Sequence, residues 1–428
     1  MRTFYANPKK SNRALHRPGE SLKEKSLNRR EFFSKTAGIG LAGLLAGNGG
    51  AEAEPQTKTA APTGGALITR TLGKTGITLP VVSMGVMNAN NPDLVKGALE
   101  RGIRHLDTAF VYGDGQNESM VGKVVADMKL RDKVVIATKE MVSFQRRGLS
   151  GAKAADALIR MVEASLKRLR SDYVDIVYIH DIGSPEDAVH PGFQEGMRRL
   201  KEQGKIRFSG FSTHMNMAAC IDAAVKDGSA DVILTSFNFA LSNDAALLNS
   251  LKNAAAKGVG LVAMKTQCSQ DWYRNELPRD QQKFYGGNIV HKAVLKWVVR
   301  HPFITTAVPG FTTFQQLDED VSVAYDMAYT PEESLYLKDK NVQMTLNTCV
   351  QCGRCAGTCP QGADVPALMR THMYLACYRN FSQAKLTLGQ LPRSGGLARC
   401  AACGECSATC VRDLPVRKRI GELRMLLG

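Results

Sequence analysis

Between about residues 67 and 328, short apolar and β-branched runs alternate with stretches whose apolar positions recur every three or four residues. The runs fall at 81–84, 105–109, 134–139, 173–180, 207–212, 231–237, 260–264 and 305–309. Runs spaced at roughly 30 residues, each followed by a helical pattern, are the mark of parallel βα units. Eight of them close a barrel, so the pattern predicts an α/β fold, a (β/α)8 TIM barrel over residues 67–335. Residues 152–169 carry the helical period, and Gly102, Gly204 and Gly258 mark helix ends ahead of strands. The segment 69–77 reads as a hairpin before the first strand, placed to plug the bottom of the barrel.

Apolar patterning returns after residue 340 in a different form. Residues 364–388 read as mostly helical, and Val416–Leu427 as a short basic amphipathic helix that covers its own module. No run of about 18 uninterrupted apolar residues occurs, which argues against a conventional membrane span.

Charge refines the picture at the N-terminus. The 428-residue chain has a formal charge of +16, yet its first 35 residues alone hold ten Lys or Arg against three acidic residues. The remainder lacks a basic stripe interleaved with aromatic residues, so no nucleic-acid partner is expected. Asn28-Arg29-Arg30-Glu31-Phe32-Phe33 precedes a Gly/Ala-rich apolar stretch at 37–46 and a small-x-small site at Ala51-Glu52-Ala53. This resembles a twin-arginine signal. The resemblance implies a signal region at 1–53, a loose linker at 54–66, and export to the periplasm or beyond by the twin-arginine translocase.

Functional groups of a TIM barrel gather at the C-terminal ends of its strands. Asp107 and Tyr112 follow the second run, Lys139 ends the third and His180 ends the fourth. In that order they resemble the Asp, Tyr, Lys and His tetrad of the aldo-keto reductases, and Gly204-Lys205-Ile206-Arg207 resembles that family's approach to its fifth strand. The resemblance implies that Tyr112 exchanges a proton with a substrate oxygen. A phenol of pKa about 10 needs a neighbouring cation to do so. Lys139 would be that cation, Asp107 would orient it, and His180 would bond the substrate oxygen.

The family's cofactor site is matched in part. Ser212 stands where the family holds the nicotinamide amide and Glu319 where it contacts adenine. Thr213 replaces the usual Asn, Leu234 the frequent Gln, and Met264 the stacking Tyr. Gly310 and Gln316 occupy positions that often carry Lys and Arg against the 2′-phosphate. The resemblance therefore implies an NAD(P)(H) site around Ser212, Thr213, Gly310 and Glu319 with a reduced grip.

Eight of the eleven cysteines form two runs, Cys349-x2-Cys352-x2-Cys355-x3-Cys359-Pro360 and Cys400-x2-Cys403-x2-Cys406-x3-Cys410. This is bacterial ferredoxin spacing, in which the fourth Cys of a run ligates the other cluster. It predicts a mostly helical ferredoxin-like domain at 340–428 with two 4Fe-4S clusters. One would be held by Cys349, Cys352, Cys355 and Cys410, the other by Cys400, Cys403, Cys406 and Cys359. Zinc and a disulfide framework are disfavoured by two complete four-Cys runs. Cys220, Cys268 and Cys377 read as buried small apolar residues.

Together these features predict an exported oxidoreductase acting on a small carbonyl or alcohol substrate, its clusters relaying electrons to or from a redox partner protein or quinone-linked carrier. Two alternatives are a nicotinamide-dependent reductase with structural or sensory clusters, and a non-catalytic electron-transfer subunit.

Overall fold

The computed structural model describes residues 65–141, 151–267, 290–338, 349–378, 380–403 and 406–427. The signal region, the linker up to residue 64 and Cys268 lie outside the described residues, and the side chain of Cys377 is likewise not described. Residues 60–428 pack as one compact unit.

The chain enters through an antiparallel hairpin, β1 (Thr69–Thr71) and β2 (Thr78–Pro80). Eight parallel strands follow: β3 (Met84–Gly85), β4 (His105–Asp107), β5 (Val135–Glu140), β6 (Val174–Ile182), β7 (Ile206–Thr213), β8 (Val232–Ser236), β9 (Gly260–Met264) and β10 (Thr306–Ala307). They pair in chain order, and a parallel bridge from Val82 to Ala307 joins the last strand to the first, closing the barrel. The helices after the strands are α1 (Pro92–Glu100), α2 (Gln116–Asp127), α3 (Gly151–Leu169), α4 (Pro191–Glu202), α5 (Met217–Asp227), α6 (Ala245–Ala256), α7 (His291–Val299) and α8 (Phe314–Val323). A further helix, α9 (Pro331–Lys338), leads out of the barrel.

Strands walled by helices outside and packed side chains inside must be apolar on both faces, and every residue of β6 is buried. The hairpin supplies the lower filling. Leu72, Ile77 and Leu79 pack inside the barrel against Ala137, Ile176, Tyr178, Val232, Leu234 and Val262. Full burial of each such aliphatic side chain stabilises by roughly 1.5–3 kcal/mol. Gly73 at the hairpin tip has φ +52 and lies so close to the backbone of Gly258–Gly260 that a Cβ would collide with it.

The C-terminal region is helical. It contains α10 (Val365–His372), a π-turn at Met373–Cys377, α11 (Phe381–Gly389), a 3-10 segment at Leu397–Ala402 and α12 (Val416–Leu427). Asp364 caps α10 by accepting from the Ala367 N–H at 3.0 Å, and Asn380 caps α11 through Gln383 at 2.9 Å. Val416, Ile420 and Leu423 of α12 enter a core with Val365, Leu368, Met369 and Met373. The apolar face of α12 is thus spent on its own module. Asn380 Nδ2 donates to Asn88 Oδ1 at 2.8 Å, and Arg412 donates to the Ala240 carbonyl at 2.9 Å, tying the module to the barrel.

Candidate active site and cysteine module

At the C-terminal ends of the strands the structure brings Asp107, Tyr112, Lys139 and His180 together. Asp107 ends β4, Lys139 is the penultimate residue of β5, and Tyr112 sits on the loop after β4. Lys139 Nζ donates to Asp107 Oδ1 at 2.6 Å, to the Thr108 carbonyl at 2.7 Å and to the Tyr112 hydroxyl at 3.3 Å. His180 stands edge-on to Tyr112, ring centroids 6.1 Å apart at 85°. All four are buried.

Burial sets the electrostatics here. It pushes Asp107 and Lys139 each toward its neutral form, and their mutual attraction opposes both shifts. Burial, helped by Asp107, raises the Tyr112 phenol well above its ordinary range. Burial, with Lys139, Lys265 and Arg370 nearby, holds His180 well below 6.5, so its imidazole is neutral. The arrangement is a protonated phenol beside a cation and a neutral imidazole.

These groups face a cavity of about 710 Å³ lined by Asp107, Tyr112, His180, His214, Lys265 and Gly310 from the barrel. The module contributes Tyr374, Tyr378, Asn380, Phe381 and Ser382 to the same lining. Of the residues expected around a nicotinamide dinucleotide, Met264 and Gly310 line this cavity. Ser212 Oγ instead accepts from the Asp181 N–H at 3.0 Å, and Thr213 Oγ1 donates to the Met215 carbonyl at 3.1 Å. Glu319 lies on α8, and Gln316 spends its side-chain carbonyl on the Thr312 N–H at 2.8 Å. Leu234 is packed within the barrel interior.

Sequence reasoning passed over His214, one residue past β7, and Lys265, one past β9. Both are polar residues at strand ends, the signal that located the tetrad. Lys265 has φ +55, its carbonyl accepts from Asn238 Nδ2 at 3.0 Å, and its Nζ is sealed from solvent without a hydrogen-bond partner among the described residues, although the stem is partly exposed. Burial and Arg370 bring its pKa to about 7. The module residues that roof the cavity carry no sequence signal for that role.

The nine cysteines whose side chains are described form no disulfide with one another. Cys349, Cys352, Cys355 and Cys410 line one tight cavity, and Cys359, Cys400, Cys403 and Cys406 line a roomier one of about 170 Å³. Each cavity thus takes three cysteines from one run and the last cysteine of the other. Among the described residues no group of three or more His, Cys, Asp or Glu is close enough to hold a metal ion. Burial, with Cys349, Cys410 and Cys352 around it, pushes the Cys355 thiol up to about 12. Four thiolates cannot share such a site without cations among them, and a cubic cluster offers one iron to each of four thiolates. Each cavity presents ligands of the number and kind that such a cluster takes.

Fold and site define a barrel oxidoreductase. Residues 84–284 match the aldo/keto reductase family. L-galactose dehydrogenase of Arabidopsis thaliana is 26% identical over 287 residues, covering 60% of this chain and 88% of that protein. L-glyceraldehyde 3-phosphate reductase of Escherichia coli O157:H7 is 22% identical over 315 residues, covering 62% and 89%. Among solved structures, an aldo-keto reductase from Bacillus halodurans in its holo form superposes with a TM-score of 0.51 at 23% identity, over 64% of this chain and 96% of that one.

Proposed function

We propose that the protein is an exported oxidoreductase whose barrel acts on a small carbonyl or alcohol substrate, while two 4Fe-4S clusters relay electrons to or from a redox partner protein or quinone-linked carrier. The observation that carries this reading is a shared wall. Met87 packs against Tyr112 on one side and against the cysteine-bearing core of the module on the other. Tyr374 and Tyr378 of the module roof the catalytic cavity.

In the reductive direction, a carbonyl oxygen lodged between Tyr112 and His180 gains negative charge as its carbon is reduced. Tyr112 donates its proton to that oxygen, Lys139 stabilises the phenolate left behind, and Asp107 holds Lys139 in place. Neutral His180 adds a hydrogen bond without adding charge. Cys349, Cys352, Cys355 and Cys410 would hold one cluster, and Cys400, Cys403, Cys406 and Cys359 the other. A bound nicotinamide dinucleotide supplies two electrons as hydride, whereas a bound cluster exchanges electrons singly.

Iron and acid-labile sulfide analysis of anaerobically purified protein tests the cluster half of the reading. About eight irons per chain are expected, and stoichiometric zinc overturns it. Cys359→Ser should disturb the cluster held by Cys400, Cys403 and Cys406. Adding NADPH while following the cluster absorbance shows whether nicotinamide electrons reach the clusters. Replacing Arg29 and Arg30 by Lys should retain the protein in the cytoplasm, and undiminished export removes the twin-arginine route.

A further inference from the structure

We propose that Arg370 is a positioning residue for the barrel's chemistry: one guanidinium of the cysteine module, acting through Asp181, sets the aim of His180. The inference rests on the reading of Tyr112 and His180 as the proton-handling pair.

The geometry starts in the backbone. From Val174 to Ile179, β6 pairs regularly with β7, Ile179 standing opposite Phe211. The next partner of Ile182 is Thr213, so three steps along β6 match two along β7. That is a bulge, and its extra residue lies at His180–Asp181. Asp181 has φ +64, a left-handed conformation that costs a non-glycine residue on the order of 1–3 kcal/mol and persists only where the surroundings impose it.

Three side chains impose it. The Asp181 N–H donates to Ser212 Oγ at 3.0 Å, and His214 Nε2 lies 3.0 Å from Asp181 Oδ1. Arg370 Nη1 stands 3.1 Å from Oδ1 and 3.0 Å from Oδ2. Burial keeps His214 well below its ordinary pKa, so the imidazole beside Asp181 is neutral. Of the described groups bonded to the Asp181 carboxylate, Arg370 alone is charged. His180 gains no help from its own Nδ1, which likewise has no partner among the described residues. Its ring is aimed by the bulged backbone and by packing. Without Arg370, the buried Asp181 carboxylate would keep nearby Lys265 as its remaining cation, with no hydrogen bond from that Nζ among the described residues, and would protonate or turn away, freeing the bulge.

The test compares Arg370→Gln, Arg370→Lys, Asp181→Asn and the Arg370→Gln/Asp181→Asn double variant. Gln390→Ala, which removes another contact from module to barrel, Gln390 Nε2 to Met141 Sδ at 2.8 Å, is the control. Hydrogen exchange by mass spectrometry is read on the peptide covering 174–186, with kcat and KM measured on a carbonyl substrate and cluster absorbance monitored. Arg370→Gln should speed exchange in that peptide and lower kcat by on the order of 10–100-fold, with KM little changed. Arg370→Lys should recover part of both effects, and the double variant should be no worse than Asp181→Asn alone. Should Arg370→Gln fail to fold, Arg370→Lys and Asp181→Asn carry the same comparison. Unchanged exchange in folded Arg370→Gln overturns the proposal, as does an equal loss in Gln390→Ala. Exchange is read without turnover. A wild-type protein inactive on carbonyls would therefore sink the proposed function, while the role of Arg370 in holding the bulge would still stand or fall by the exchange rates.

Discussion

Tyr112 meets Lys139 at 3.3 Å, yet burial and Asp107 keep the proton on its oxygen at neutral pH. Tyr112→Phe preserves the ring and removes that proton, so turnover should fall by about 10²–10⁴-fold in steady-state assays while the thermal midpoint stays put. A second residue-scale prediction concerns Glu140, one position along β5, where burial lifts the carboxyl to about 8 although Ser165 bonds to it at 2.7 Å. Between its ordinary 4.5 and about 8, the folded protein keeps a proton that the unfolded chain has released, so stability falls as pH rises through that window. Glu140→Gln mimics the protonated form. It should match the wild type near pH 4 and melt at a higher temperature at pH 8, and a difference constant with pH would refute this. Thirdly, free NADPH should bind weakly, because Gly310 and Gln316 offer no cation. Each missing charge-assisted contact forfeits about 1.5–3 kcal/mol, and calorimetric binding in the low micromolar range would contradict the claim. Asp107, Lys139 and His180 were legible because a barrel displays its chemistry at strand ends. Lys265 and His214 stand at the same ends and were passed over because no motif drew attention to them.

Among the elements, the eight strands and α12 could be read from period alone, since a strand buried on both faces and a helix with one apolar stripe have distinct rhythms. The bulge in β6 could not. Val174–Ile182 is almost continuously apolar up to His180, and such a run looks the same whether or not one residue steps out of register. The roof of the cavity was illegible for a related reason: Tyr374 and Phe381 have the spacing of ordinary helical residues, and only docking turns them toward Tyr112. α12 makes its own prediction. Leu423 is fully buried in the module core, so Leu423→Ala should cost about 2–5 kcal/mol and hasten loss of the proposed clusters on dilution into air, followed by the decay of visible absorbance.

At the scale of the molecule, a hairpin fills the bottom of the barrel and a helical module lies across its top. The catalytic cavity therefore belongs to two regions far apart in the chain, with Asn88 bonded to Asn380 and Asp181 to Arg370. In the time order of synthesis this separation has a meaning. At translation rates of roughly 5–20 residues per second, Arg370 leaves the ribosome some ten to forty seconds after Asp181, the partner it must hold. Every barrel strand has been made by then, but the bulge that carries His180 still waits for its last restraint. On the proposed role of Arg370, a nascent barrel is thus a closed vessel with its acid–base pair unaimed until the module that carries this arginine has been made and has docked.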